Sequence, residues 1–196
     1  MRNRGALVIV DLQNDFCPGG GLPVPDGDAI VPVVNRYLDL FRAAGVPVFF
    51  TRDWHPQKTV HFKGFGGSWP PHCVQGTEGA RFHPGLKVPD DAVLMTKGES
   101  PEEDSYSGFD GHDAEGQTLE AALKGKGITH IYLGGLATDY CVRATALDGL
   151  KKGFKVTVLL DAIKGVELKP GDSDKALEEM LARGADTSTI DEIELV

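Results

Sequence analysis

Ile128-Thr-His-Ile-Tyr-Leu-Gly134, running on into Gly135-Leu-Ala-Thr-Asp-Tyr-Cys-Val-Arg-Ala-Thr-Ala-Leu147, is the stretch that decides the fold. An apolar run closes at Gly134 and a helical pattern spans Asp139–Lys152, so the sequence predicts a strand feeding directly into a helix. That junction puts the Cys141 thiol in the first turn of the helix. Unpaired backbone N–H groups and the positive end of the helix dipole would favour the thiolate there, pulling the pKa below the free value of about 8.5. A lone cysteine is equally a small core hydrophobe, as most intracellular cysteines are. What the rest of the chain places beside it separates the two.

Working outward, the same grammar repeats. Short apolar runs at Ala6–Val10, Pro47–Thr51, Ala92–Thr96, Ile128–Gly134 and Lys155–Leu160 alternate with helical patterns. Continuous rather than alternating apolar strands mark a parallel sheet covered on both faces, so the expected class is three-layer α/β. One helix is expected from an Asp28 cap through Ile30, Val34, Leu38 and Phe41 to Gly45, another over Thr118–Lys124, and a last from Asp172 or Ser173 to near Gly184. A short edge strand is placed within Thr187–Val196. Two stretches, Pro56–Asp91 and Gly98–Gly116, resist the pattern; connections of that length without regular structure are usually functional loops.

Composition narrows the function. The chain has 196 residues, 41% hydrophobic, which suits a single domain over 1–196. A net charge of −9, with basic residues scattered, makes nucleic acid and anionic membranes poor partners. Three cysteines are too few for a disulfide framework, and the Ala6–Val10 run is too short for a signal segment. These features lead to the expectation of a cytoplasmic protein acting on a small molecule. Neither a Gly-x-Gly-x-x-Gly nor a phosphate loop is present, so nucleotide binding has no support.

In open parallel sheets, ligands bind beyond the carboxyl ends of the strands. The residues leaving those ends are Asp11, Asp53, Lys97 and, on the helix after the fourth strand, Cys141. A buried carboxylate beside a lysine and a thiol can take the thiol proton and later return it, which makes an activated nucleophile with Asp as the base. A second cluster is Asp53-Trp-His55, whose period of two puts both side chains on one face, joined by His72 from Trp69-Pro-Pro-His72. One carboxylate and two imidazoles suit a divalent ion such as Zn²⁺, Fe²⁺ or Mn²⁺, although a hydrogen-bonded loop explains the same spacing. His61 is near enough to be an extra ligand. His83 and His112 fall outside the cluster, and Cys73 reads as a packing residue.

With these residues assembled, the chain resembles the nicotinamidases of the isochorismatase-like cysteine hydrolase superfamily. The matching pieces are Val10-Asp-Leu-Gln-Asn-Asp-Phe16 with Pro18-Gly-Gly, Thr51-Arg-Asp-Trp-His-Pro56, Trp69-Pro-Pro-His-Cys-Val-Gln-Gly-Thr77, Lys97-Gly, Asp104-Ser-Tyr-Ser-Gly-Phe109 and Gly134-Gly-Leu-Ala-Thr-Asp-Tyr-Cys141. The resemblance implies a triad of Asp11, Lys97 and Cys141 and one divalent metal, Zn²⁺ before Fe²⁺ or Mn²⁺, held by Asp53, His55 and His72. It implies an oxyanion hole from the Ala137 and Cys141 N–H groups, after a cis bond between Leu136 and Ala137. It further implies a mainly parallel six-stranded Rossmann-like sheet, a homo-oligomer, and hydrolysis of nicotinamide to nicotinate and ammonia in NAD salvage, commonly with pyrazinamide accepted too. Phe16, Trp69 and Tyr106 are the candidate aromatic walls for the substrate, with core packing as their alternative role. The competing functions are a relative cleaving a carbamoyl or ureido compound and a non-catalytic metal-binding protein on the same fold.

Overall fold

The strand β1 (Gly5–Val10) is buried along its whole length, as a central parallel strand must be. The computed structural model describes residues 4–193 and 195. Around β1 it arranges β2 (Val48–Asp53), β3 (Val93–Lys97), β4 (His130–Leu136), β5 (Lys155–Lys164) and β6 (Asp186–Ser188). The order is β3-β2-β1-β4-β5-β6 with every neighbouring pair parallel.

Alternation along each strand sorts the core into two layers. Leu7, Ile9, Phe50, Tyr132 and Leu159 face α1 (Val31–Ala43) through its Val34, Leu38 and Phe41. Ala6, Val8, Phe49, Ile131, Leu133 and Val158 face α2 (Leu119–Gly125), α3 (Arg143–Lys151) and α4 (Asp172–Ala182) through Leu123, Ala146 and Met180. The result is the expected three-layer architecture, with one helix on one face and three on the other. Strand order reverses direction between β1 and β4, so the crevice where their carboxyl ends diverge is the natural ligand position.

Two glycines at that crevice are structurally required. Gly135 has φ +117, and a Cβ there would sit 2.0 Å from the Val10 carbonyl oxygen, so only glycine lets β4 close on β1. Gly98, at φ +73 just after β3, leaves room for the His55 ring, whose Cε1 would be 2.6 Å from a Cβ.

Several element boundaries differ from those expected. Strands β2 and β3 run on to include Asp53 and Lys97, and β4 includes Gly135 and Leu136. The helix expected from Asp139 is present from Thr138, but its opening stretch, Thr138–Val142, is wound wide as a π-helix before continuing directly into α3 at Arg143. The cause is local: the Ala137 carbonyl accepts from both Tyr140 and Val142 N–H, while the Asp139 carboxylate holds Val166 and Glu167 N–H at 2.8 and 2.9 Å instead of capping its own helix. Asp28 lies in a 3₁₀ turn, Gly27–Ile30, ahead of α1 and does not cap it. Thr118 does cap α2, accepting from Ala121 N–H. The edge strand is confined to Asp186–Ser188; of the stretch 187–196, positions 194 and 196 lie outside the described residues. Among the described residues, no helix is long and apolar enough to cross a membrane. The two long irregular stretches contain only short turns and isolated bridges, such as His55 with Val74.

Candidate active site and metal centre

Asp11 leaves β1 at φ 45 and is completely buried. Thr51, inward-facing on the adjacent β2, donates its hydroxyl to Asp11 Oδ1 at 2.6 Å. Lys97, the last residue of β3, lies 2.8 Å from Asp11 Oδ2, pairs with Asp53 Oδ1 and reaches to 3.5 Å from Cys141 Sγ. Acid, amine and thiol from three strand ends therefore meet. The ammonium serves two carboxylates at once, and the two respond differently. Burial pushes the Asp11 carboxyl above its usual range despite the pull of Lys97. Burial acts on Asp53 in the same direction, yet Lys97 and the His55 contact outweigh it and hold that carboxyl well below its usual range. Neighbouring acids driven apart in this way suit different roles, one able to carry a proton and one remaining charged. For Lys97, burial alone would lower the pKa; Asp11 and Asp53 reverse that and keep the amine protonated.

Cys141 departs from the expectation for a helix N-terminus. It sits in the wide opening segment that runs into α3, yet burial pushes its thiol well above the ordinary value, with Lys97 only partly opposing. Desolvation is the largest influence on this sulfur and the neighbouring Asp11 and Asp53 add to it, so the resting group is the thiol. A nucleophile in this state needs a base at hand, and the oxygens of Asp11 and Asp53 lie with Sγ inside a 4.8 Å cluster.

On the other side of Asp53 stand three imidazoles, His55, His61 and His72, whose ligand atoms lie within 4.8 Å of one another. Each Nδ1 has a fixed partner: Gly98 O at 3.0 Å for His55, Pro70 O at 2.7 Å for His72, and the Asp104 carboxylate for His61. Carbonyl oxygens only accept, so Nδ1 is the donor in the first two, leaving Nε2 to face the cluster. His55 Nε2 is buried without a hydrogen-bond partner, 3.6 Å from Asp53 Oδ2. Burial pushes the His72 imidazole down to about 4 and lowers His61 against the pull of Asp104. An orphaned ring nitrogen, two further imidazoles and a charged carboxylate, with Nδ1 anchored on every ring, form a donor set that fits a divalent transition metal. His61, treated from the sequence as an additional option, is as close to this group as the other two.

Phe16, Trp69 and Tyr106 all line one small cavity together with Asp53, His61, His72, Ala137 and Cys141. Trp69 donates its indole N–H to Tyr106 Oη at 2.9 Å. Neither lysine nor arginine is among the cavity's lining residues. The peptide bond between Leu136 and Ala137 is cis. His83 and His112 stay away from the cluster, bonding Gly85 N–H and Glu99, and Cys73 packs in the core.

Some contributors escape sequence inspection. Tyr140 and Val166 complete the cavity wall, with Tyr140 edge-on to Trp69 at 4.9 Å between ring centroids. Gln13 clamps the Asp53 backbone with a reciprocal pair at 2.8 Å and also donates to Ala80 O. Thr51 and Gln13 carry a weak signal, since each lies two residues from an acid of the site; Tyr140 and Asp104 fall inside stretches that carry the resemblance but nothing there marks their roles, and Val166 carries no signal.

A model of the isochorismatase domain matches residues 5–192. The chain belongs to the isochorismatase family. Within it, the chain is 42% identical over 201 residues to a nicotinamidase of Escherichia coli, with 94% of each covered. It is 42% identical over 179 residues to a nicotinamidase/pyrazinamidase of Mycobacterium tuberculosis, covering 89% of this chain and 93% of the relative. The crystal structure of the pyrazinamidase of Pyrococcus horikoshii in complex with zinc superposes with a TM-score of 0.88 at 49% identity, over 95% of this chain and 99% of that one. The isochorismatase-like α/β hydrolase fold is thus shared along nearly the whole described chain.

Proposed function

We propose that the protein is a metal-dependent nicotinamidase, hydrolysing nicotinamide to nicotinate and ammonia through a thioester on Cys141. The observation that carries this reading is the position of Asp53, whose Oδ1 pairs with the lysine beside Cys141 while its Oδ2 faces His55, so one carboxylate links the thiol cluster to the imidazole cluster. Relatives named as nicotinamidases, and a neighbour holding zinc, support it.

In this mechanism Asp11 takes the Cys141 proton as Sγ bonds to the carboxamide carbon, and the carbonyl oxygen becomes an oxyanion facing the N–H groups of Ala137 and Cys141. Each such donor is typically worth about 3 kcal/mol of transition-state stabilisation. Asp11 returns the proton to the nitrogen, the C–N bond breaks and ammonia leaves, giving the thioester. Water then adds to the acyl carbon as Asp11 takes its proton. Collapse of that adduct breaks the C–S bond, releases nicotinate and lets Asp11 reprotonate the sulfur. Its elevated pKa suits a group that alternates between acid and base. Lys97 holds Asp11 in place and offsets the charge that develops.

Asp53, His55 and His72, with His61 as the fourth ligand, would hold the ion. When bound, the ion, Zn²⁺ before Fe²⁺ or Mn²⁺, supplies a coordination position for the pyridine nitrogen. Phe16, Trp69 and Tyr106 hold the flat ring so that its carboxamide meets Sγ. Pyrazinamide, with the same ring shape and a nitrogen in the same position, is the expected second substrate. The imidazoles gathered beside Asp53 disfavour a carbamoyl or ureido substrate, because the triad alone could cleave such a compound and would leave them without a task. A role in NAD salvage, a cytoplasmic location and homo-oligomeric assembly complete the proposal.

The test is release of nicotinate and ammonia from nicotinamide by protein as purified, after chelation, and after return of Zn²⁺, Fe²⁺ or Mn²⁺. Metal-dependent release is expected. Hydrolysis of a ureido acid in preference to nicotinamide would overturn the substrate assignment.

A further inference from the structure

His55 and His72 are oriented by backbone carbonyls, but His61 is oriented by a side chain. Its Nδ1 meets the carboxylate of Asp104, from the loop that follows β3, whereas His61 itself belongs to the loop that follows β2. The two loops are already sewn together one residue away, where Val60 N–H donates to Pro101 O at 2.9 Å. The His61 side chain is only 4% exposed while that of Asp104 is 52% exposed, so the acid reaches inward from the surface to a buried ring.

The remaining contacts of the His61 ring are with other rings. It stacks on His55 at 4.4 Å between centroids and lies 5.3 Å from His72 and 5.7 Å from Tyr106. Stacking constrains the plane of an imidazole but not which edge points where. The contact with Asp104 sets that choice: with Nδ1 bonded to the carboxylate, Nε2 is the atom presented to His55 and His72. A carboxylate acceptor also increases electron density on the ring more than a carbonyl does, strengthening the opposite nitrogen as a donor.

We propose that Asp104 is a positioning residue that fixes the His61 imidazole with Nε2 toward His55 and His72, so that His61 completes the donor set for the divalent ion. This rests on the metal-dependent reading above. Because Tyr106 lies two residues beyond Asp104 and also touches the His61 ring, the same contact ties one wall of the substrate cavity to the cation site.

The test measures binding rather than turnover. Chelated protein is titrated with Zn²⁺ in competition with a chromophoric chelator, and the visible spectrum of the Co²⁺-loaded protein is recorded. D104A should weaken Zn²⁺ binding about 10–100-fold and alter the Co²⁺ spectrum in the manner of H61A. D104N, whose amide oxygen can still accept from Nδ1–H, should lose less; its half-exposed position makes it the variant to use if D104A folds poorly. In an H61A background, D104A should produce no further loss. Wild-type affinity in both D104A and D104N with weakened binding in H61A, or an equal loss from D104A with and without His61, would overturn the positioning role alone. Wild-type affinity in both H55A and H61A would instead remove the metal site, and this proposal with it.

Discussion

Lys97→Met would test the electrostatic arrangement of the site independently of any substrate. Methionine keeps most of the side-chain volume and removes the charge. In the native protein the ammonium lies 2.8 Å from Asp11 and also pairs with Asp53, and the three side chains are 0%, 0% and 3% exposed. Its loss leaves two buried carboxyl groups facing each other without a cation. Breaking a buried ion pair from one side costs about 3–5 kcal/mol. At roughly 2–4 °C per kcal/mol for a chain of this size, the midpoint of thermal unfolding should fall by about 6–20 °C. The pH dependence follows from the direction of the shifts. Asp53 is held below its unfolded value by Lys97, so in the wild type it contributes stability above about pH 4 that is lost as pH falls through its folded pKa. Without Lys97, burial raises both acids; they become protonated as pH falls from 7 toward 4, and the penalty shrinks. Urea unfolding of chelated wild type and variant at pH 7 and pH 4 should therefore show a gap that narrows at the lower pH. A variant within about 1 kcal/mol of wild type at pH 7, or a gap that is constant or widens on acidification, would refute the reasoning.

Asp11→Asn removes the proton carrier while preserving its shape, so turnover of nicotinamide should vanish while the fold is kept, with Asp53 still pairing Lys97; residual turnover within tenfold of wild type would assign the base elsewhere. His72→Ala should raise KM for nicotinamide more than it lowers kcat, because the ion is assigned to holding the ring; a loss confined to kcat would point to polarisation of the carbonyl instead. Alkylation of Cys141 by iodoacetamide in substrate-free protein should be slower at pH 7 than that of a free thiol and should accelerate as pH rises, since burial raises the thiol pKa. Fast alkylation, unchanged between pH 5 and 7, would restore the thiolate expected from a helix N-terminus.

The parallel sheet was legible because central strands buried on both faces leave continuous apolar runs such as Ala6–Val10, and the residues that close those runs are the ones brought to the crevice. Asp11 and Lys97 could be located for that reason. The pKa of Cys141 was misjudged because a dipole argument is local, whereas desolvation depends on how completely the rest of the chain encloses the sulfur. The helix expected from Asp139 is there, but its wide opening is not legible in the sequence, because it accompanies the engagement of the Asp139 carboxylate with Val166 and Glu167 on a distant loop. Asp53 was recognised beside His55, but its pairing with Lys97 comes from the in-register alignment of β2 with β3, which opposes Asp53 to Lys97. Tyr140, Val166 and Asp104 act from turns and loops without periodicity, so only the tertiary structure brings them to the site.

The covalent step is the central claim, and rapid acid quenching of the protein during turnover of nicotinamide, followed by peptide mass spectrometry, tests it most directly. One nicotinoyl group is expected on Cys141, absent from Cys17 and Cys73 and absent altogether in Asp11→Asn. Nicotinate release at full rate from Cys141→Ala, with no acylated peptide in the wild type, would contradict it.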